Sequence, residues 1–242
     1  ALGLPEALTV DLTEPAQRQL AARDGDTLTV PKVGDRVANS VTLKGAVTRP
    51  GSYGWVADMR LSDLISDARR DLSRDADLGL GMIIRQKNAV LDIEVLSFDL
   101  VSVIASPGSD RDIALQELDE VLVFSLVTSD LTAADADADA SRDALLAPVL
   151  AKLRSQARQN EPVAIVSVSG AVRAGGNYPL IRGATVETLI NAAGGLTDSA
   201  FLQAAELRRL SDRASGEVVA DYRDINLAQG AGLELALASR DH

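Results

Sequence analysis

Val41-Thr42-Leu43-Lys44-Gly45-Ala46-Val47 is answered 125 residues later by Val166-Ser167-Val168-Ser169-Gly170-Ala171-Val172. The correspondence runs on through Gly51 and Gly176, Tyr53 and Tyr178, Leu64 and Leu189, Ile65 and Ile190. Between 41–65 and 166–190, eight of 25 positions are identical without a gap. An internal repeat of this length predicts two copies of one small folding unit, and a function that uses copies side by side.

Each copy begins with apolar residues at alternate positions, 41 and 43 or 166 and 168, as a half-buried strand requires. A glycine-bearing reversal follows: Arg49-Pro50-Gly51-Ser52 in one copy, Ala174-Gly175-Gly176-Asn177 in the other. Such residues suit a tight turn, because proline presets φ and glycine tolerates a positive φ. Residues 53–56 and 178–181 then read as return strands of hairpins.

The period changes after the hairpin. Leu61, Leu64, Ile65, Ala68 and Leu72 share one face of a predicted helix, and Val186, Leu189, Ile190 and Ala193 repeat the stripe. Leu64 and Leu189 lie at the centres of these stripes, with Ser62 and Glu187 on the polar side. Thr185 suits an N-cap and Gly194-Gly195 a stop. Further strands are predicted at 82–85, 91–96, 121–124, 206–209, 217–222 and 233–237. Hairpin, helix and more strands, in that order, predict an α+β chain of β-grasp (ubiquitin-like) domains, each curling a mixed sheet around a helix.

The domains are expected at 34–125 and 160–242. Residues 1–33 resemble the closing part of the first copy, since Val10-Asp11-Leu12 and Asp26-Thr27-Leu28-Thr29-Val30 echo Phe98-Asp99-Leu100 and Glu120-Val121-Leu122-Val123. They are expected to be the end of a preceding repeat. Residues 126–159 are expected to form an acidic linker and helical spacer. Ser141 is placed to cap a helix carrying Leu145, Leu146, Val149, Leu150, Leu153 and Ala157. Pro148 falls inside it, predicting a late start or a kink.

Composition narrows the chemistry. The 24 basic and 35 acidic residues give a net charge of −11, which disfavours phosphate backbones, so no nucleic-acid partner is expected. Aromatics make up 3% of the chain, too few for a base-stacking surface or a ring-lined sugar cleft. There is no cysteine, and the one histidine is His242. Thiolate metal sites, disulfides, cysteine nucleophiles and Ser-His-Asp chemistry therefore have no material. Asp135, Asp137 and Asp139 resemble the start of a calcium loop, but Ala140 and Leu146 stand where that loop needs glycine and glutamate. No catalytic residue, cofactor or metal site is expected, and the chain is read as not an enzyme.

Val-x-x-x-Gly-Ala-Val-x-x-x-Gly-x-Tyr, then a helix with Leu-Ile, then Ala205-x-Leu207-x-Arg209, resembles the SLBB domain, the soluble ligand-binding β-grasp. The first copy departs after its helix: Asp67-Ala68-Arg69-Arg70-Asp71 replaces an Ala-Gly-Gly stop, and Leu118-Asp119 a Gly-Asp pair. Copies separated by a Leu-rich helix resemble outer-membrane polysaccharide export proteins of Gram-negative bacteria. The resemblance implies a periplasmic, ring-forming part of such an exporter, for capsule or exopolysaccharide. The partners would be the polysaccharide in transit, further copies of the chain and an inner-membrane polymerisation or export protein. A small-ligand or glycan-binding module of another envelope assembly is the alternative.

The candidate motif and interface residues are Gly45, Arg49, Gly51, Tyr53 and Arg85 in the first copy, and Gly170, Arg173, Gly176, Tyr178 and Arg209 in the second. Arg85 and Arg209 recur at matching strand positions, and two readings are open: pairing with carboxylates across an interface, or facing solvent. The tyrosines are expected to pack across their hairpins onto the helix rather than to meet sugar. Mid-strand Gly45 and Gly170 predict a bulge or a close backbone approach.

Overall fold

A computed structural model describes residues 39–88, 91–126, 142–158, 162–212, 218–230 and 232–242. The expected repeat end at 1–33, the three alternating aspartates and Ser141 lie outside these residues. The architecture is mixed α+β.

In the first copy, β1 (Ser40–Gly45) and β2 (Gly51–Gly54) form the predicted hairpin, with Val41 opposite Tyr53. Two short helices follow, α1 (Leu61–Leu64) and α2 (Ala68–Asp71), then β3 (Ala76–Gln86), β4 (Ile93–Phe98), α3 (Leu100–Ala105) and β5 (Glu120–Ser125). The sheet order is β2-β1-β5-β3-β4. Its centre is β5, parallel to β1 and antiparallel to β3.

The single helix predicted from Leu61 to Leu72 is broken in two. Ile65 is extended, and Asp67 restarts the chain as an N-cap, accepting from the amides of Arg69 and Arg70. Asp71 holds the break from its other side, its carboxylate accepting from the amides of Ser66 and Asp67 at 3.0 and 3.1 Å. Short polar side chains thus satisfy backbone groups that a continuous helix would have bonded internally. The break changes which residues are buried: Leu61, Ile65 and Leu72 enter the core, whereas Leu64 is half-buried. Ser62 is engaged as well, donating from its amide and hydroxyl to buried Asp112 at 3.0 and 2.7 Å.

The spacer helix, α4 (Arg142–Gln156), runs through Pro148, which is exposed. Arg142, Leu145, Leu146, Val149, Leu150 and Leu153 form its buried face. Those leucines and valine pack against Met82, Ile84, Val95, Leu122 and Phe124 of the first copy and Val166, Tyr178, Ile181 and Leu189 of the second. A mid-helix proline costs about 3 kcal/mol. Five buried aliphatic side chains, at about 1.5–3 kcal/mol each, outweigh that.

The second copy has β6 (Ile165–Val168), β7 (Gly176–Pro179), α5 (Val186–Ala192), β8 (Ala205–Asp212) and β9 (Val218–Ile225). Its backbone bonds repeat those of the first. Val47 pairs with Leu72 as Val172 does with Leu196, and Arg60 with Ala114 as Thr185 does with Ala236. Leu61 N donates to Ile113 O and Val186 N to Leu235 O. The strand predicted at 233–237 is instead a turn-rich segment carrying only the bridge at Ala236.

Burial ranks the core substitutions. Ile65→Ala and Leu146→Ala should each lower unfolding stability by about 2–5 kcal/mol, the cost of an unfilled cavity. Half-buried Leu64→Ala should cost distinctly less. Urea denaturation of the three variants tests the order, and equal costs would contradict the split helix.

Candidate functional site

The repeated motif residues build the same corner twice. In the first copy Arg85, on β3, grips Asp119 in a two-pronged ion pair, Nε to Oδ1 at 3.0 Å and Nη2 to Oδ2 at 2.6 Å. Nη2 also donates to the Ala114 carbonyl at 2.8 Å, and the Gln116 amide donates to Asp119 at 2.8 Å. In the second copy Arg209 grips Asp241 at 2.9 and 2.6 Å, donates to Ala236 O at 2.8 Å, and Asp241 accepts from the Ala238 amide at 2.8 Å. Both aspartate side chains are fully buried, at 0% exposure. Each arginine therefore pairs inside its own copy, neither across an interface nor with solvent alone. The Asp241 hydrogen bonds raise the Arg209 pKa above its ordinary value.

In the first copy the corner fixes the loop before β5 to β3, and in the second it fixes residues 236–241 to β8. The residue before each aspartate takes a left-handed conformation, φ 66° at Leu118 and 68° at Arg240. Non-glycine residues rarely adopt it. A guanidinium fork on a matching carboxylate that is itself shielded from water is strong enough to hold such a turn.

The tyrosines close the hairpins. Tyr53 Oη donates to Arg49 O and Tyr178 Oη to Ala174 O, each at 2.6 Å. Tyr53 packs against the core of its own copy, whereas Tyr178 is buried in the core that α4 shares with both copies. Burial raises the Tyr178 pKa. Its ring is thus committed to packing rather than to a sugar surface. Arg49 and Arg173 are exposed, and the Arg173 amide donates to Gly195 O at 3.0 Å. Gly51 and Gly176 share an extended positive φ, 150° and 158°.

Gly45 shows the expected close approach. At φ +92°, a Cβ there would lie 2.0 Å from the Val123 carbonyl oxygen of β5. Gly170 has nearly the same φ, +90°, with nothing within 4 Å of that position.

Arg142, which sequence reasoning passed over, stands at the junction of the copies. Its guanidinium donates to Asp77 Oδ2 at 2.9 Å and to the Ala192 carbonyl, and lies 4.8 Å from the Phe124 ring centre. One side chain thus ties α4 to β3, β5 and the end of α5. Asp119, Asp241 and Asp77 were also missed. Asp119 and Asp241 lie 34 and 32 residues beyond Arg85 and Arg209, and that near-equal spacing was the available signal.

The chemistry of these groups is structural. Every carboxylate of the corners is occupied by an arginine fork and a backbone amide. His242 shares hydrogen bonds with Ser167 and Ser169 through its two ring nitrogens, at 2.7 and 3.0 Å. Among the described residues, no group of three or more metal-ligating side chains occurs.

Residues 165–222 match the SLBB domain family, so the second copy carries an SLBB domain. No curated protein matches the chain.

Asp119→Ala should destabilise the fold by about 3–5 kcal/mol, because it strands a largely buried guanidinium and removes a fully buried carboxylate. The double variant Arg85→Met/Asp119→Ala should cost less than the sum of its parts in chemical denaturation. An additive result would dissolve the corner as a unit. A pH effect is expected at α2. Hydrogen bonding from Arg70 holds the Asp71 carboxyl well below the ordinary carboxylate range. That stabilisation is complete above about pH 4, the unfolded value, and drains as pH falls towards the depressed folded one. Asp71→Asn should flatten the acid limb of stability between about pH 5 and 2.

Proposed function

We propose that this chain is a non-enzymatic building block of the Gram-negative cell envelope. It supplies tandem SLBB domains of β-grasp fold, at 34–125 and 160–242, to the periplasmic part of an outer-membrane polysaccharide export protein. The observation that carries this reading is the doubled arginine–aspartate corner, set in two copies that share one core around α4. Such an arrangement makes a rigid two-domain block whose buried aspartates and their arginines are consumed in holding it together. Rigid repeated blocks suit assembly into a closed homomeric ring, in which each subunit offers two different faces. Sparse aromatic residues favour passage of a sugar polymer over its retention. The capsule or exopolysaccharide chain would cross the ring's lumen, delivered by an inner-membrane polymerisation or export partner.

A second reading, a small-ligand or glycan-binding module, has one observation in its favour. A cavity of about 510 Å³ opens in the second copy between β6, α5 and β8. It is of the size that small ligands occupy.

The full-length protein in detergent separates the two. A ring seen by electron microscopy, with surface polysaccharide lost on deletion of either domain, is the expected result. A monomer that binds a soluble sugar or other small ligand one-to-one in calorimetry would overturn it in favour of the binding module.

A further inference from the structure

The outer margins of the two copies are finished differently. In the first, Gln156 bonds both the amide and the carbonyl of Ile93 on the outermost strand, β4. In the second, β9 takes the place of β4. Arg209 matches Arg85, so the Arg208–Tyr222 and Leu210–Ala220 pairs repeat Ile84–Val95 and Gln86–Ile93. Val95 is buried in the core around α4, whereas Tyr222 is 59% exposed. Among the described residues, no side chain caps Ala220 as Gln156 caps Ile93. Residues 221–224 are all exposed, so neither face of β9 is covered there.

The bonding pattern of the ribbon shows which backbone groups of β9 are free. Arg208 exchanges both backbone bonds with His242, at 2.7 and 2.9 Å, on the side of β8 away from β9. Arg208 and Tyr222 are therefore an unbonded pair of the ladder, and bonded and unbonded pairs alternate on either side of them. The amides and carbonyls of Ala220, Tyr222 and Asp224 accordingly point outward, towards no described strand. Asp221 and Arg223 project to one face of β9, two residues apart. Both are exposed, and neither forms an ion pair among the described residues. An uncovered edge of eight residues is a template for another strand.

We propose that β9 is a pairing edge for a second copy of this chain. The two β9 strands run antiparallel, with Tyr222 opposite Tyr222 on the two-fold axis, and join two ribbons into one sheet. Charge complementarity selects both the occupant and the register. Asp221-Tyr222-Arg223 is complementary to itself when reversed. In this register Ala220 and Asp224 form bonded pairs across the axis. Asp221 meets the second copy's Arg223, and Arg223 its Asp221, in the unbonded pairs where side chains lie closest. A shift of two residues either way sets Asp221 against Asp221 or Arg223 against Arg223, and like charges directly opposite are destabilising. A small molecule would leave most of this backbone edge unbonded, whereas a strand satisfies it along its length. The contact uses the same patch on both copies and closes on two of them. It is separate from the head-to-tail contacts of a ring and independent of the export reading.

Sedimentation of the 242-residue chain from micromolar to millimolar concentration tests the contact, with amide hydrogen exchange as a second readout. The expected result is a monomer–dimer equilibrium in which the Ala220, Tyr222 and Asp224 amides become protected as the dimer fills. Asp221→Arg or Arg223→Asp alone turns both opposite pairs into like pairs, so each should weaken dimerisation roughly tenfold or more. Mixing the two single variants should restore dimers, and the double variant Asp221→Arg/Arg223→Asp should dimerise by itself. Ala220→Pro should abolish pairing while keeping the ribbon, because it removes an outward amide and no bond to β8. A chain that stays monomeric across the range would overturn the proposal, as would a dimer indifferent to the charge variants. Protection of the same three amides at every dilution, in the monomer, would assign the edge to a segment of the same chain and overturn pairing between copies.

Discussion

Strand β5 is apolar on both faces, and the fold of the described residues depends on that constraint. Alternation sends Val121 and Val123 into the core beneath α1 and α3, and Leu122 and Phe124 into the core around α4. One strand is therefore the wall between two hydrophobic clusters. A strand buried on both sides has no tolerance for a shift in register, since a one-residue slip exchanges its two sets of side chains. The Arg85–Asp119 fork sits immediately before the strand and fixes that register from the loop.

Arg142 performs the corresponding task between the copies. A buried arginine is expensive unless its donors are satisfied, and here a carboxylate, a backbone carbonyl and an aromatic face surround it. Those partners come from different elements, so the guanidinium is fully compensated only when β3, β5, α4 and α5 are all in place. Apolar packing around α4 supplies the affinity between copies; the arginine supplies a single arrangement.

What the sequence revealed and what it hid follow from the range of the interactions. The hairpins, the two glycines at positive φ and the apolar face of α4 are local patterns, and residues 41–47, 145–153 and 166–172 show them directly. The break between α1 and α2 was hidden because Leu61, Leu64, Ile65 and Ala68 keep helical spacing even though Asp67 and Asp71 interrupt the backbone between them. The partners of Arg85 and Arg209 were hidden for a different reason: they lie more than thirty residues away, and only the comparison of the two copies, with spacings of 34 and 32 residues, points to them. Arg142 reads as a solvent-facing residue in any composition-based view, and only the packing of both copies buries it. The SLBB match covers 165–222, and so reaches neither Asp241 nor the spacer helix.

Gln156, in the last turn of α4, accepts from the Ile93 amide at 2.7 Å and donates to the Ile93 carbonyl at 3.0 Å. A side-chain amide thus takes the bonds that a neighbouring strand would make with β4, which is the outermost strand on that side of the sheet. At the opposite margin β2 is only four residues long. Open sheet margins are where identical chains fuse when crowded together. A side-chain amide at one margin and a strand of four residues at the other thus leave the first copy's sheet little backbone on which another strand could build.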